Sequence, residues 1–147
     1  MRVLVVSEDP KERLRAVSAL ELQAAADVEE AATAEEVRRR ILREGATFDV
    51  LVVDGDLQPR GGFAMLYDLR SHAELVGIDP TPSLVMAARE QDLWLANWAG
   101  ANACLLKPVD PFELARQVQA LEGTQVPPYG DHGAAAKQVG AALREIR

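Results

Sequence analysis

Mainly apolar runs alternate along the chain with stretches of helical periodicity. Four such runs predict strands: Val3–Val6, Asp49–Val53, Ser83–Ala87 and Asn102–Leu106. Continuous apolar runs are typical of parallel strands whose two faces are both covered by helices. A fifth segment, Ala26–Ala32, carries three acidic side chains. We therefore predict an edge strand there.

Helix starts follow several of these runs. Asp9, Thr33 and Asp110 each precede a Glu by three residues. This spacing is typical of a helix N-terminus at which the two side chains cap each other's backbone N–H groups. Glu12 would accordingly bond back to the cap residue Asp9.

The helical segments predict how the sheet is covered. Leu14, Val17 and Leu20 would form the apolar face of the first helix, and the third and fourth helices are predicted over Phe63–Arg70 and Gln91–Ala99. Five strands and five helices in strict alternation predict an α/β fold, a doubly wound parallel sheet with helices on both faces.

The pattern breaks near the C-terminus. Residues 123–133 hold two prolines and three glycines, which predict a linker. Residues 134–147 predict a short amphipathic helix with Val139, Leu143 and Ile146 on one side. We therefore expect one folded domain over residues 1–122 and a linker with a short helix over 123–147.

Charge and hydropathy narrow the class of protein. The 147 residues include 16 basic and 23 acidic ones, for a net charge of -7, which argues against direct nucleic-acid binding. No apolar run is long enough for a membrane span, and the N-terminus lacks a signal-peptide pattern, so we expect a cytoplasmic location. The single cysteine, Cys104, excludes an intrachain disulfide.

Chemically active side chains follow three of the predicted strands. Glu8 comes after the first strand, Asp54 after the third and Lys107 after the fifth. The carboxyl ends of parallel strands meet at one edge of a sheet, where ligands bind in open α/β folds. We therefore expect carboxylates and an ammonium group in one crevice, an arrangement that can hold a divalent cation together with a phosphoryl group.

Residues 2–122 resemble the receiver domain of bacterial two-component response regulators, of the chemotaxis-regulator type. The resemblance is carried by Val3–Pro10, Phe48–Gly62, Ser83–Arg89 and Gly100–Leu114. It implies a flavodoxin-like (βα)5 fold with strand order 2-1-3-4-5. It also implies a signalling module rather than an enzyme.

The resemblance assigns roles to the strand-end residues. Asp54 would accept a phosphoryl group from a sensor histidine kinase, a phosphotransfer protein or a small phosphodonor. Mg²⁺ would separate the two repelling anions, with Glu8, Asp54 and the backbone carbonyl of Asp56 as its ligands. Lys107 would pair with a phosphoryl oxygen. In the family, the peptide bond between this lysine and the following proline, here Pro108, is often cis. The signal would then pass to a downstream protein partner.

Three positions depart from the family pattern. Ser7 stands where the family has the first of two acidic residues, which predicts weaker Mg²⁺ binding. Ala87 replaces a hydroxyl residue that bonds the phosphoryl group, a hydrogen bond worth roughly 1.5–3 kcal/mol. Cys104 replaces an aromatic ring that changes rotamer together with that hydroxyl. Both halves of the usual activation switch are therefore missing.

Trp94 and Trp98 lie four residues apart and so share one face of the fourth helix. They could pack in the core, but Leu93, Ala96 and Gly100 better fit the stripe that faces the sheet. The tryptophans would then lie outward, on the face formed by the fourth helix, fifth strand and fifth helix. Such a face could bind a partner or pair two copies in a homodimer.

Two functions from different classes remain open at this point. The chain could be a stand-alone receiver that is phosphorylated on Asp54 and signals by protein contact. It could also be a phosphorylation-independent pseudo-receiver that serves as a protein-binding module, as Ser7, Ala87 and Cys104 suggest. A flavodoxin-like flavin carrier is disfavoured, because no phosphate-cradling Gly-rich loop follows the first strand.

Overall fold

Five parallel strands form the central sheet in the computed structural model, which describes residues 1–58, 60–124 and 126. Their spatial order is 2-1-3-4-5, which confirms the predicted α/β architecture. The strands are β1 (Arg2–Val6), β2 (Asp27–Ala31), β3 (Val50–Asp54), β4 (Ser83–Ala87) and β5 (Ala103–Leu106).

Over the described residues, five α-helices connect and follow the strands. A π-helical turn, Arg39–Arg43, extends the second helix, and a 3₁₀ turn, Glu90–Asp92, precedes the fourth. The helices are α1 (Pro10–Ala24), α2 (Ala34–Arg38), α3 (Gly62–Val76), α4 (Leu93–Ala99) and α5 (Pro111–Leu121). None of them is long and apolar enough to cross a bilayer.

The sheet separates two apolar cores. Val3 and Val5 of β1 pack with α1 and α5 on one face, whereas Leu4 and Val6 pack with α2, α3 and α4 on the other. All four are fully buried. Successive side chains of a strand point to opposite faces, so a strand covered on both sides must be apolar throughout. This constraint explains the continuous apolar runs of the sequence.

β2 is an edge strand, as its acidic residues predict. Glu29 pairs with both Arg2 and Arg40, and the Glu30 carboxylate lies 3.0 Å from the Arg13 guanidinium. Charged side chains are tolerated on an edge strand because one side of the strand meets solvent.

The predicted caps at the helix starts are formed. The side chains of Asp9, Thr33 and Asp110 accept backbone N–H groups within the first turns of α1, α2 and α5 at 2.9–3.2 Å. The expected return bond from Glu12 to Asp9 is replaced by another contact, because the Glu12 carboxylate turns toward Lys107.

Three details of the predicted helices were wrong. Leu14 is 64% exposed, because the buried stripe of α1 is centred on Ala16 and Leu20, on the other side of the helix. α3 continues past Arg70 to Val76 and ends at Gly77, whose left-handed backbone terminates it. α4 begins two residues later than predicted, after the 3₁₀ turn.

Most of the predicted C-terminal tail lies outside the described residues. Gly123, Thr124 and Val126 are the only described positions beyond Glu122. The domain boundary at residue 122, the linker and the terminal helix therefore stay predictions.

Gly62→Ala is expected to lower the free energy of unfolding by about 2–3 kcal/mol. A Cβ at Gly62 would lie 2.3 Å from the backbone carbonyl oxygen of Asp54 and 2.5 Å from the Cγ1 atom of Val53. Either α3 or the end of β3 must therefore shift. Urea unfolding measures the loss. Gly45→Ala is the control, because its backbone is left-handed but nothing lies near its added Cβ; we expect about 1 kcal/mol there. Equal losses in the two variants would contradict the packing argument.

Candidate functional site

Asp54 is the last residue of β3 and is only 5% exposed. Its Oδ2 atom accepts the Ser7 hydroxyl at 3.0 Å. Its Oδ1 atom accepts the Asp56 backbone N–H at 2.9 Å and the Lys107 ammonium at 2.7 Å. Both carboxylate oxygens therefore have partners, drawn from the ends of β1, β3 and β5.

Lys107 follows β5 and places its ammonium among three carboxylates. The Nζ atom lies 2.7 Å from Asp54, 3.1 Å from Glu12 and 3.7 Å from Asp56. Its backbone N–H bonds the Ala87 carbonyl at 2.9 Å, which continues the pairing of β4 with β5 past the end of the strand. The peptide bond from Lys107 to the following proline is cis, in agreement with the expectation from the resemblance.

The local field keeps Asp54 and Lys107 charged. Burial raises the pKa of Asp54, but the bonds from Lys107, Asp56 and Ser7 lower the pKa more, so it lies below its ordinary value. Burial lowers the pKa of Lys107, but Asp54 and Glu12 outweigh this effect and raise it. At neutral pH the site thus presents an ionised carboxylate against an ammonium group.

Glu8 lies at the same edge but makes a different contact. Its exposed carboxylate accepts the backbone N–H of Gln58, in the loop that follows Asp54. Within residues 1–58, 60–124 and 126, no three His, Cys, Asp or Glu side chains are grouped so as to hold a metal ion. The oxygen atoms of Glu8, Asp54 and Asp56 are of the kind that Mg²⁺ prefers. They are few, however, for an ion that takes six ligands.

Comparison with known proteins decides the family. A family model described as "Response regulator receiver domain" matches residues 3–119. The chain belongs to this family. Receiver domains are signalling modules of two-component systems.

Related proteins support the assignment. Two strains of Mycobacterium tuberculosis carry a protein named as an uncharacterized response regulatory protein, 35% identical to this chain over 126 residues. That match covers 82% of this chain and 90% of the relative.

Solved structures show the same fold. The chemotaxis response regulator CheY4 of Vibrio cholerae is 25% identical, with a TM-score of 0.69, over 82% of this chain and 97% of that one. A CheY-like receiver domain protein from Methanospirillum hungatei is 26% identical, with a TM-score of 0.66, over 81% of this chain and 90% of that one.

Ala87 and Cys104, which the resemblance places at the switch positions, are small and fully buried. Ala87 ends β4 beside Leu106, and Cys104 lies in β5 beside Val85. Both side chains belong to the core under α2, α3 and α4. Neither offers a hydroxyl group or an aromatic ring, so the structure provides no rotamer-coupled pair at these two positions.

The tryptophans lie outward, as predicted. Trp94 is 65% exposed and Trp98 is 42% exposed, whereas Ala96 between them is buried. Trp98 stacks on Tyr67 of α3, with ring centroids 4.4 Å apart and planes 2° from parallel. Its ring therefore lies on the α3 side of α4 rather than toward β5 and α5, where we expected it.

Two residues of the site were missed by the sequence reasoning. The capping pattern predicts only a helix-cap role for Glu12, and the resemblance marks Ser7 only as a missing acid. In the structure Glu12 bonds Lys107 and Ser7 bonds Asp54. One feature of the sequence did point to Glu12. It lies in the first helical turn after β1, and that turn begins at the same edge of the sheet as Asp54 and Lys107.

Cys104 is expected to resist thiol reagents in the native protein. Burial raises the pKa of its thiol to about 12, and the Asp92 carboxylate adds to the effect. Because the chain has one cysteine, reaction with a chromogenic disulfide at pH 8 reports this position alone. We expect stoichiometric reaction in denaturant and almost none in buffer; fast labelling of the folded protein would contradict the described burial.

Proposed function

We propose that the protein is a receiver that accepts a phosphoryl group on Asp54 in a Mg²⁺-dependent reaction and signals by protein–protein contact. The observation that carries the proposal is the 2.7 Å contact between Asp54 and Lys107 at the carboxyl edge of the sheet, in a chain of the receiver family.

The geometry suits an attack by the Asp54 carboxylate on phosphorus. A bond forms between an Asp54 oxygen and the phosphorus as the bond to the donor's leaving atom breaks, and that atom keeps the electron pair. The Lys107 ammonium can then serve a phosphoryl oxygen and offset the negative charge. Glu8, Asp54 and the carbonyl of Asp56 would hold Mg²⁺, which neutralises charge between carboxylate and phosphoryl group.

The partners follow from this chemistry. A sensor histidine kinase or a phosphotransfer protein would supply the phosphoryl group in the cytoplasm. The output would be a protein, since the net charge of -7 disfavours nucleic-acid contact. The exposed Trp94 on α4 offers apolar surface for such a partner or for a homodimer.

A second function is favoured by specific residues. Ser7 removes one acid from the metal site, and Ala87 and Cys104 remove the usual switch. A pseudo-receiver that binds partners without phosphorylation would need neither feature. Phosphoryl uptake therefore separates the two proposals.

Incubation with acetyl phosphate and Mg²⁺ is expected to add the mass of one phosphoryl group, read by intact-protein mass spectrometry. Asp54→Asn should abolish the addition, because an amide is not a nucleophile of this kind. Lys107→Met should slow it strongly, because the charge of the incoming group loses its fixed partner. Asp49→Asn, on the opposite edge of the sheet beside Arg2, is the matched control and should be labelled normally. Absence of uptake from both acetyl phosphate and a kinase would favour the pseudo-receiver.

Ser7→Asp is expected to tighten Mg²⁺ binding by about tenfold, because it restores a hard oxygen ligand beside Asp54. Without metal the new carboxylate faces Asp54 and should lower the melting temperature. The measurement is the rise of Tm with Mg²⁺ concentration, which reports affinity for the folded state. Ser71→Asp in α3 adds the same charge elsewhere and serves as the control. An equal Mg²⁺ response of wild type and Ser7→Asp would refute the weak-site interpretation.

A further inference from the structure

Glu12 has a contact that its place in the helix does not require. It stands in the first turn of α1, where an acid is favourable simply because the helix N-terminus is positive. Its carboxylate nevertheless reaches across to Lys107, with an oxygen 3.1 Å from Nζ. The contact joins α1 to the end of β5, and its two residues are 95 positions apart along the chain.

The same ammonium also serves the acceptor residue. Lys107 donates to Asp54 at 2.7 Å, so Glu12 and Asp54 share one cation. The side chain of Lys107 is 18% exposed, and those of Asp54 and Glu12 are 7% and 29% exposed. Charges in such a partly closed site are screened less than charges at a free surface.

An incoming phosphoryl group changes this balance. The group is an anion that needs the Lys107 ammonium for its own oxygens, while the Glu12 carboxylate stays beside that ammonium. The Glu12 charge therefore partly cancels the field of Lys107 and repels the donor. Of the two further carboxylates beside this cation, Glu12 at 3.1 Å is nearer than Asp56 at 3.7 Å.

We propose that Glu12 is a positioning residue that holds the Lys107 ammonium in the resting protein and thereby restrains phosphoryl uptake at Asp54. The inference rests on the proposed function, and it deepens that function by naming a brake on the acceptor site. Uptake then proceeds when Lys107 turns from Glu12 toward the phosphoryl oxygens.

Glu12→Gln tests the brake, because the amide keeps the shape of the side chain and removes its charge. Glu113→Gln is a matched control. Glu113 also stands in the first turn of its helix, has a side chain 24% exposed, and pairs with Arg116 rather than Lys107. Initial rates of phosphoryl uptake from acetyl phosphate are compared at saturating Mg²⁺, with acetate leaving as the bond to Asp54 forms.

We expect Glu12→Gln to take up the phosphoryl group about three- to tenfold faster than wild type, the size of effect that one partly screened charge exerts at this range. Glu113→Gln should match wild type. The Mg²⁺ affinity, measured by calorimetry without donor, should be unchanged in both variants. Glu12→Asp should fall between wild type and Glu12→Gln, because it keeps the charge but holds its carboxylate farther from Lys107.

Two results would overturn the inference. Equal uptake rates for Glu12→Gln and wild type would show that Glu12 exerts no restraint. Slower uptake together with weaker Mg²⁺ binding would make Glu12 a metal ligand instead.

A chain that is not phosphorylated at all would contradict the proposed function, and this outcome is distinguishable from a failure of the Glu12 inference. If neither wild type nor Glu12→Gln is phosphorylated, the phosphoryl mimic beryllium trifluoride, added with Mg²⁺, still probes the site without transfer chemistry. The inference then requires a larger rise of Tm for Glu12→Gln than for wild type, and an equal rise would overturn it.

Discussion

The ion pair between Asp54 and Lys107 is the interaction on which the site depends. It joins the ends of β3 and β5, which are separated in the sheet by β4. A buried carboxylate is costly unless it is paired and hydrogen-bonded. Ser7 and the Asp56 backbone supply the remaining bonds, so the charge at Asp54 is held by three separate segments of chain.

The rest of the fold keeps these segments in register. Apolar strands packed on both faces fix the positions at which β1, β3 and β5 end. Gly62 lets α3 start against the Asp54 backbone, and the three N-caps set the helix starts. The geometry of the site is therefore a consequence of strand burial, and the loops only refine it.

The strands and the convergence of Asp54 and Lys107 at one edge of the sheet could be predicted from the sequence, because apolar runs and strand-end positions follow simple rules. The strand order followed only from the resemblance to receiver domains. The buried face of α1 could not be predicted in the same way, because Leu14 and Val17 are both apolar in the sequence, yet only Val17 is buried. The contact of Glu12 with Lys107 could not be predicted for a different reason. Its backbone fits a capping pattern, and only the folded chain shows that its side chain meets a residue from the far end of the domain. The stacking of Trp98 on Tyr67 likewise depends on how α3 and α4 pack, which periodicity within one helix does not specify.

The arginine pairs of the β2 edge have a consequence for assembly. Arg2 and Arg40 cluster on Glu29, and Arg13 pairs with Glu30, along the outermost strand. A second molecule that paired its own strand with β2 would approach these charged side chains, which disfavours such pairing. The charged side chains of β2 therefore act against growth of the sheet at this edge.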